Sequence, residues 1–390
     1  MKPVAKIAGC GIVSTLGYGL SQNLSVIRRG EGQFATRRLS GFNEVIEAPF
    51  LAIPDNDGSR PAKEHAERLL DHALEEALAN AAISPQQRKT LPIFIGSSSY
   101  GIGIGEEIYR HAVANAECSE QPPRPLPLDG FTQISHHLRR QHQLHGADYA
   151  YNTACTASAN ALLSAVSSIT QGHHEYALVV GMETFNATTL SGFFGMQLLS
   201  HEMMRPFDQH RNGLVLGEGC AVLLLQASAA DGNGLTLCGG ASGCDSFSIS
   251  ASNPDGSSIA AVMQRALDQC QLQASDITAI KAHGTASPMN DNGEAAGMRR
   301  LFTTLPPFFS LKSYIGHTLG SCGAMETALM IGCIEQGYLP ISAGFTTADA
   351  ELGVSPLTVS QPAPAGYYML NFFGFGGNNC SLILHSGSGS

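Results

Sequence analysis

Charge is scarce in this sequence. Only 14% of its 390 residues are Asp, Glu, Lys or Arg, against 43% hydrophobic residues. That balance excludes a disordered or solvating chain and indicates a compact interior, long enough for two fused units. Positive charge is the scarcer sign: 22 Lys and Arg face 32 Asp and Glu, a net charge of −10. Nucleic acid is therefore a poor partner, although a local basic patch could still receive an acidic protein. Paired cysteines are also lacking. Ten cysteines are present and none stands as C-x-x-C, which removes zinc ribbons and thioredoxin-like motifs. Their scatter through apolar stretches points to reduced thiols in a cytoplasmic protein. No apolar run suits a membrane span. The run after Met1-Lys2 is punctuated by Gly9, Gly11, Gly17 and Gly19, so it reads as a strand entering a turn and not as a signal peptide. A phosphate loop is missing too: Gly101-Ile102-Gly103-Ile104-Gly105 has neither the dinucleotide spacing nor a following lysine, and reads as a close-packed loop.

What is present is an alternation of apolar strand runs with helical patterns. Pro61 to Ala82 reads as a helix whose stripe is Ala66, Leu69, Leu70, Ala73, Leu74, Ala77, Leu78 and Ala81. Leu91 to Ile95 and Tyr176 to Val180 read as buried strands. Gln121 to Pro127 reads as a surface loop, Asp129 to His142 as a helix and Ser321 to Gln336 as another. Such alternation indicates an α/β class with sheets covered on both faces. It occurs twice, which places one half at 1–230 and a second at 231–385; residues 386–390 read as a linker or tag remnant. His136, His137, His142 and His145 resemble a metal cluster by number alone. No carboxylate or thiolate sits at ligand spacing beside them, so they read as solvated helix residues.

The stretch that organises the rest is Ala150-Tyr151-Asn152-Thr153-Ala154-Cys155-Thr156-Ala157-Ser158-Ala159. A strand-like run ends in a cysteine, and a helix follows with Ala159, Leu162, Leu163, Val166 and Ile169 at helical spacing. Cys155 thus falls at a helix N-terminus, where unpaired N–H groups and the helix dipole favour a thiolate. Taken alone, it could equally be a buried structural thiol. Three later segments add reactive groups at comparable junctions: Lys281-Ala282-His283-Gly284-Thr285 followed by Glu294, Ser310-Leu311-Lys312-Ser313-Tyr314-Ile315-Gly316-His317, and the glycine-framed turn Asn371 to Asn378.

With these residues in view, the chain resembles the β-ketoacyl-[acyl-carrier-protein] synthases of the thiolase superfamily. The T-A-C-T-A-S run at Cys155 carries the likeness, with Arg205-Pro206-Phe207-Asp208, Gly217-Glu218-Gly219, H-G-T at His283, K-S-x-x-G-H from Lys312 to His317, and F-G-F-G-G from Phe373 to Gly377. The resemblance implies a five-layered αβαβα thiolase fold built from two similar halves. It implies a decarboxylative Claisen condensation in which Cys155 holds an acyl group and malonyl carrier protein supplies the extender. His283 and His317 would donate hydrogen bonds to the thioester oxygen as carbon dioxide leaves. The N–H groups of Cys155 and Phe375 would form the oxyanion hole, and Phe375 would gate the acyl pocket. Lys312 and Glu294 would orient the histidines. Phe193, Phe194, Thr285, Gly374 and Gly376 are candidate pocket residues.

No metal or organic cofactor is implied, because the acyl carrier protein brings its own phosphopantetheine arm. The expected partners are that carrier protein and a second subunit, either a copy of this chain or a homologous chain-length factor. Lys63, Arg68, Arg205 and the pairs Arg139-Arg140 and Arg299-Arg300 are candidate docking residues. The chain departs from the family pattern after H-G-T, where Ser287 and Asn290 replace a usual threonine and glycine, and before the cysteine, where Asn152 replaces aspartate. These changes spare the catalytic groups and tilt the reading towards polyketide or aryl-polyene assembly over housekeeping fatty-acid synthesis. Two competing readings remain: a thiolase, against which Cys380 lacks a C-x-G context, and a silent chain-length-factor subunit, against which Cys155 and both histidines stand.

Overall fold

A computed structural model describes residues 3–39, 46–56, 58–79, 81, 83–116, 130, 132–229 and 233–387. The expected loop at Gln121 to Pro127, the start of the following helix and the last residues of the tail lie outside these. Ten strands form the main sheet path: β1 (Val4–Ser14), β2 (Ile93–Gly96), β3 (Asp148–Tyr151), β4 (Tyr176–Glu183), β5 (Gly219–Ser228), β6 (Leu235–Cys244), β7 (Ile277–Lys281), β8 (Phe308–Phe309), β9 (Gly366–Phe373) and β10 (Asn378–Ser386). The principal helices are α1 (Ala62–Ala79), α2 (Tyr100–Ala116), α3 (Thr132–His142), α4 (Ala157–Thr170), α5 (Ala187–Gly195), α6 (Ser257–Cys270), α7 (Pro288–Leu301) and α8 (Cys322–Glu335).

The strand order is β8-β7-β9-β10-β6-β1-β5-β4-β2-β3. It divides into two sets with one topology. In the first, β1 pairs antiparallel with β5 and β5 with β4, then β4-β2 and β2-β3 are parallel. In the second, β6-β10 and β10-β9 are antiparallel, then β9-β7 and β7-β8 are parallel. Each set therefore runs third, second, fourth, fifth, first. The sets meet through a short antiparallel contact, Ala5 opposite Leu237 and Lys6 opposite Thr236.

Three hydrophobic clusters lie between the layers. On the outer face of the first set, Ala66, Leu69, Leu70, Ala73, Leu74, Ala77 and Leu78 of α1 pack on Ile93, Ile95, Leu178, Val180, Val222 and Leu224. On the outer face of the second, Ile259, Val262 and Met298 of α6 and α7 pack on Ile280, Met369 and Ile383. Between the sheets, α4 and α8 share one core with inward strand residues such as Val179, Leu223, Leu370 and Leu382. This is the five-layered arrangement, with alternate strand residues serving opposite faces. The stripe expected on α1 is buried as expected, except that Ala81 lies past the helix end. By contrast, α8 has no polar face: every residue from Cys322 to Ile334 is buried. It crosses α4 so closely that a Cβ on Gly323 would stand 2.1 Å from the Ala159 nitrogen.

Two expectations change. The glycine run at 101–105 is helical, forming the first turns of α2. A Cβ on Gly103 would meet the Phe185 carbonyl at 2.5 Å, so this glycine permits helix packing and does not mark a loop. The helix α7, which carries Glu294, was not apparent from its polar, weakly periodic sequence.

Candidate active site

Cys155 follows β3. Ala154 adopts a left-handed φ of 49°, which turns the chain sharply into α4 and delivers the cysteine at the start of that helix. His283 follows β7, Lys312 and His317 follow β8, and Phe375 follows β9. All of them therefore come from carboxyl ends of strands, one from the first half and the others from the second.

The sulfur of Cys155 is 3.1 Å from His317 Nε2. The Leu319 N–H donates to His317 Nδ1 at 3.3 Å, so Nε2 carries the ring proton and points it at the sulfur. Lys312 Nζ donates to His283 Nδ1 at 3.2 Å, which fixes the same tautomer on the second ring. The two rings stand edge to face with centroids 5.4 Å apart. Burial, then the charges of Lys312 and Lys281, hold both histidines well below their usual range; His317 adds to the effect on His283. Both are neutral N–H donors at physiological pH.

Beneath them lies a buried charge cluster. Glu326 Oε1 accepts from Lys312 Nζ at 2.5 Å and Oε2 accepts from Lys281 Nζ at 2.6 Å, with all three side chains fully buried. Lys281 also donates to the Asn371 carbonyl at 2.6 Å. Burial is the largest single influence and disfavours the Lys312 charge, but Glu326, Cys322 and Cys155 together offset it, and the net shift is upward. For Lys281 burial dominates and the shift is downward. Glu294 sits elsewhere: its oxygens accept the backbone N–H groups of His283 and Gly284, each at 2.8 Å. It fixes the turn that presents His283 and does not touch the ring. Burial raises its pKa to about 7.

Cys155 corrects the expectation of a resting thiolate. Burial raises its pKa to about 11, against the lowering influence of Lys312 and of the backbone N–H groups of Phe375 and Cys155. Desolvation in the closed layer outweighs the helix terminus. The same two N–H groups face the sulfur, where an oxyanion formed at it would lie. A Cβ on Gly374 would be 3.1 Å from the Cys155 nitrogen, so this turn lies directly against the cysteine.

A cavity of about 100 Å³ opens on the sulfur, lined among others by Phe193, Thr285, Met289, Asn290, Phe373 and Phe375. Phe193 stacks on Phe375 with centroids 5.6 Å apart and planes 10° from parallel. Thr285 and Gly374 also border this space. Phe194 does not: it is 36% exposed on the other side of α5. Gly376 lies at the exposed end of its turn, also outside the lining. None of the expected docking residues borders the cavity. Lys63 pairs with Glu67, Arg68 with Asp55, Arg139 with Asp148, Arg205 with Glu202 and Arg300 with Asp255. Lys63, Arg139 and Arg140 share a separate surface depression with His136.

Sequence reasoning missed Glu326 and gave no role to Lys281. A sign was available: Glu326 is the one charged residue between Cys322 and Ile334 in a wholly apolar helix. The other motif acids are structural. Asp208 accepts the N–H groups of His210, Thr346 and Thr347, and Glu218 accepts those of Ile53 and Phe185.

A buried thiol in contact with one neutral imidazole N–H, with a second neutral imidazole lining the same cavity and two backbone N–H groups beside it, suits one class of chemistry, acyl transfer through sulfur on a thiolase-type fold. Comparison with known proteins agrees. Residues 46–230 match the family described as Beta-ketoacyl synthase, N-terminal domain, and residues 236–346 its C-terminal domain. The chain belongs to the β-ketoacyl synthase family. It is 30% identical to the mitochondrial 3-oxoacyl-[acyl-carrier-protein] synthase of Arabidopsis thaliana, across 80% of this chain and 73% of that one. A β-ketoacyl synthase from Burkholderia phymatum superposes with a TM-score of 0.82 at 27% identity, covering 99% of this chain and 100% of the other. A ketosynthase solved in complex with its chain length factor, from Xenorhabdus doucetiae, gives 0.80 at 25% identity with 98% of both chains covered.

Proposed function

We propose that this chain is a β-ketoacyl-[acyl-carrier-protein] synthase that condenses an acyl group held on Cys155 with malonyl carrier protein. The observation that carries the reading is the Cys155–His317–His283 arrangement, with His317 against the sulfur, His283 lining the same cavity, and both rings held as neutral N–H donors. In the first step the Cys155 sulfur attacks the carrier-bound thioester. The oxyanion lies between the Cys155 and Phe375 N–H groups, and the departing pantetheine sulfur takes the proton that the thiol gives up. In the second step malonyl carrier protein loses carbon dioxide. The electron pair passes to its thioester oxygen, where His283 and His317 donate. The enolate carbon then attacks the acyl carbonyl on Cys155, and the released thiolate regains a proton from solvent. Neutral imidazoles suit this oxygen because their N–H groups stabilise charge that develops on it without first attracting the malonyl carboxylate as an ion pair. The Lys312–Glu326–Lys281 cluster maintains that neutrality and fixes the His283 ring.

The substrate-bearing partner is an acyl carrier protein, and no cofactor beyond its arm enters these steps. The Xenorhabdus ketosynthase, solved in complex with its chain length factor, supports a homologous subunit as the second partner. Among the described residues no helix is long and apolar enough to cross a membrane, and we assign the reaction to the cytoplasm.

A silent partner subunit is the competing reading, and acyl loading separates the two. The intact protein gains the mass of one acyl group from acyl carrier protein, and the Cys155→Ala variant does not. Failure to load with any chain, alone or with candidate partner subunits, refutes the synthase reading.

A further inference from the structure

On the outer face of the molecule, α3 brings two histidines onto one carboxylate of α1. His137 Nε2 is 2.6 Å from Asp71 Oδ1, and His142 Nε2 is 2.7 Å from the same oxygen. The three ligand atoms lie within 4.8 Å of one another. On its far side, His137 Nδ1 is 3.2 Å from Glu67 Oε1, one turn earlier on α1. The sequence concealed this cluster because the carboxylates stand more than sixty positions before the histidines. The inner core and Cys155 lie across the first sheet from it.

We propose that Asp71, His137 and His142 form a binding site for a divalent transition-metal ion of the zinc class, independent of the condensation chemistry. Two imidazole nitrogens and one carboxylate oxygen are the donor set such ions prefer, and they leave one tetrahedral position for water. The Glu67 contact supplies the second observation. A metal-bound imidazole characteristically donates its other N–H to a carboxylate, which fixes the ring and raises its basicity. His137 stands in that relation, with Nε2 towards the site and Nδ1 towards Glu67. Its ring is almost fully buried, so its orientation is set by packing, whereas Asp71 is about one-third exposed and gives the ion access. A second route follows the surface depression that His142 borders. Tetrahedral ligation with bonds of about 2.0–2.1 Å requires ligand atoms about 3.3 Å apart. The two histidine–aspartate contacts therefore open by about 0.6 Å as the ion replaces the shared hydrogen bonds. Two carboxylates, Asp71 and Glu67, offset its charge. The ion would clamp the carboxyl end of α3 to α1.

The test uses the full-length protein, stripped of metal with a chelator and dialysed, then titrated with Co²⁺ and separately with Zn²⁺. The expected result is about one Co²⁺ retained per chain, with ligand-field absorption and no thiolate-to-cobalt charge-transfer band. That spectrum separates this site from the cysteines and from Cys155. Asp71→Asn and His142→Gln, both near the surface, abolish the retained ion, and Glu67→Gln weakens it by about 10–100-fold. Zn²⁺ raises the unfolding midpoint of the parent by a few degrees and leaves the two ligand variants unmoved. Ion-free unfolding midpoints matching the parent's show that the variants fold. No retained ion in the parent, equal retention in the variants, or a thiolate band at the retained stoichiometry would each overturn the proposal.

Discussion

The resting state of Cys155 can be tested by the pH dependence of its alkylation. Burial raises its pKa from the ordinary 9.0 to about 11. At pH 7 the thiolate fraction is then about 10⁻⁴, against about 10⁻² for an ordinary thiol. The thiolate that does form is the more nucleophilic, by roughly threefold per pKa unit at a Brønsted slope of about 0.4–0.5. The two effects combine to about a tenfold slower reaction at pH 7 than a small thiol of ordinary acidity, before any loss from restricted access. Access scales the whole curve without changing its shape, so the slope is the decisive quantity.

The assay is iodoacetamide labelling from pH 6.5 to 10.5, followed by peptide mapping to isolate Cys155 from the exposed Cys244. The expected rate climbs about tenfold per pH unit through pH 10 without a plateau. In Lys312→Met, which removes the largest influence lowering the pKa, the rate at pH 8 falls further. A plateau below pH 9 would refute the reasoning. It would mean that the helix terminus and the N–H donors outweigh desolvation.

Four further outcomes follow. Glu326→Gln leaves Lys281 and Lys312 buried without a counter-charge and should cost about 3–5 kcal/mol of stability by denaturant unfolding, whereas a surface change such as Glu47→Gln should cost under about 0.5. Glu294→Gln turns an amide NH₂ towards one of two backbone N–H donors, so about 1–3 kcal/mol should be lost despite the matched shape. His283→Ala should load acyl groups on Cys155 yet lose about 10²–10³ in malonyl decarboxylation, measured as carbon dioxide release. Both histidines have folded pKa values depressed below 6.5, so the unfolded chain binds their protons first as pH falls. Stability from these groups is therefore full above about pH 6.5 and declines below it, by up to about 1.4 kcal/mol per pH unit per histidine. Unfolding of a His283→Asn/His317→Asn variant should show a flatter acid limb.

Sequence reasoning reached the reactive groups more readily than the supports beneath them. Cys155, His283, Lys312 and His317 were legible because each ends a strand beside small residues, a local pattern. Lys281 and Glu326 were not, because their pairing is decided by how α8 threads between the sheets 45 positions after the strand β7. The helix α8 was expected at Ser321 to Gln336, but its complete burial from Cys322 to Ile334 was not, since periodicity reports a half-buried helix and loses contrast for one buried all round. The thiolate expectation failed for a related reason. A helix N-terminus can be read from a sequence, but the depth at which folding buries it cannot. The partners of His137 and His142 were hidden in the same way, by a contact between helices remote in sequence.

The duplicated sheet explains why the site has two kinds of component. Both sets of strands share the order third, second, fourth, fifth, first, and in each the helix that follows the third strand enters the central layer. In the first half that helix begins just after Cys155. In the second the corresponding segment passes Lys312 and His317 before α8 starts. Equivalent positions in the two halves thus meet across the central layer, with one supplying the group that forms the covalent bond and the other the N–H donors. The nucleophile and the donors rest on different sheets, joined by a short strand contact at Ala5 and Lys6, by the crossing of α4 and α8, and by loop contacts such as the His317 N–H donating to the Val215 carbonyl at 2.7 Å. That crossing is where the geometry is most exposed to change. In Gly323→Ala the new Cβ meets the α4 backbone, so the helices must part and the 3.1 Å sulfur–imidazole contact lengthens. Acyl loading and decarboxylation should then both fall, although the substituted residue lines no part of the cavity. Unchanged rates in a folded variant would show that the two halves are positioned by their sheets and not by this crossing.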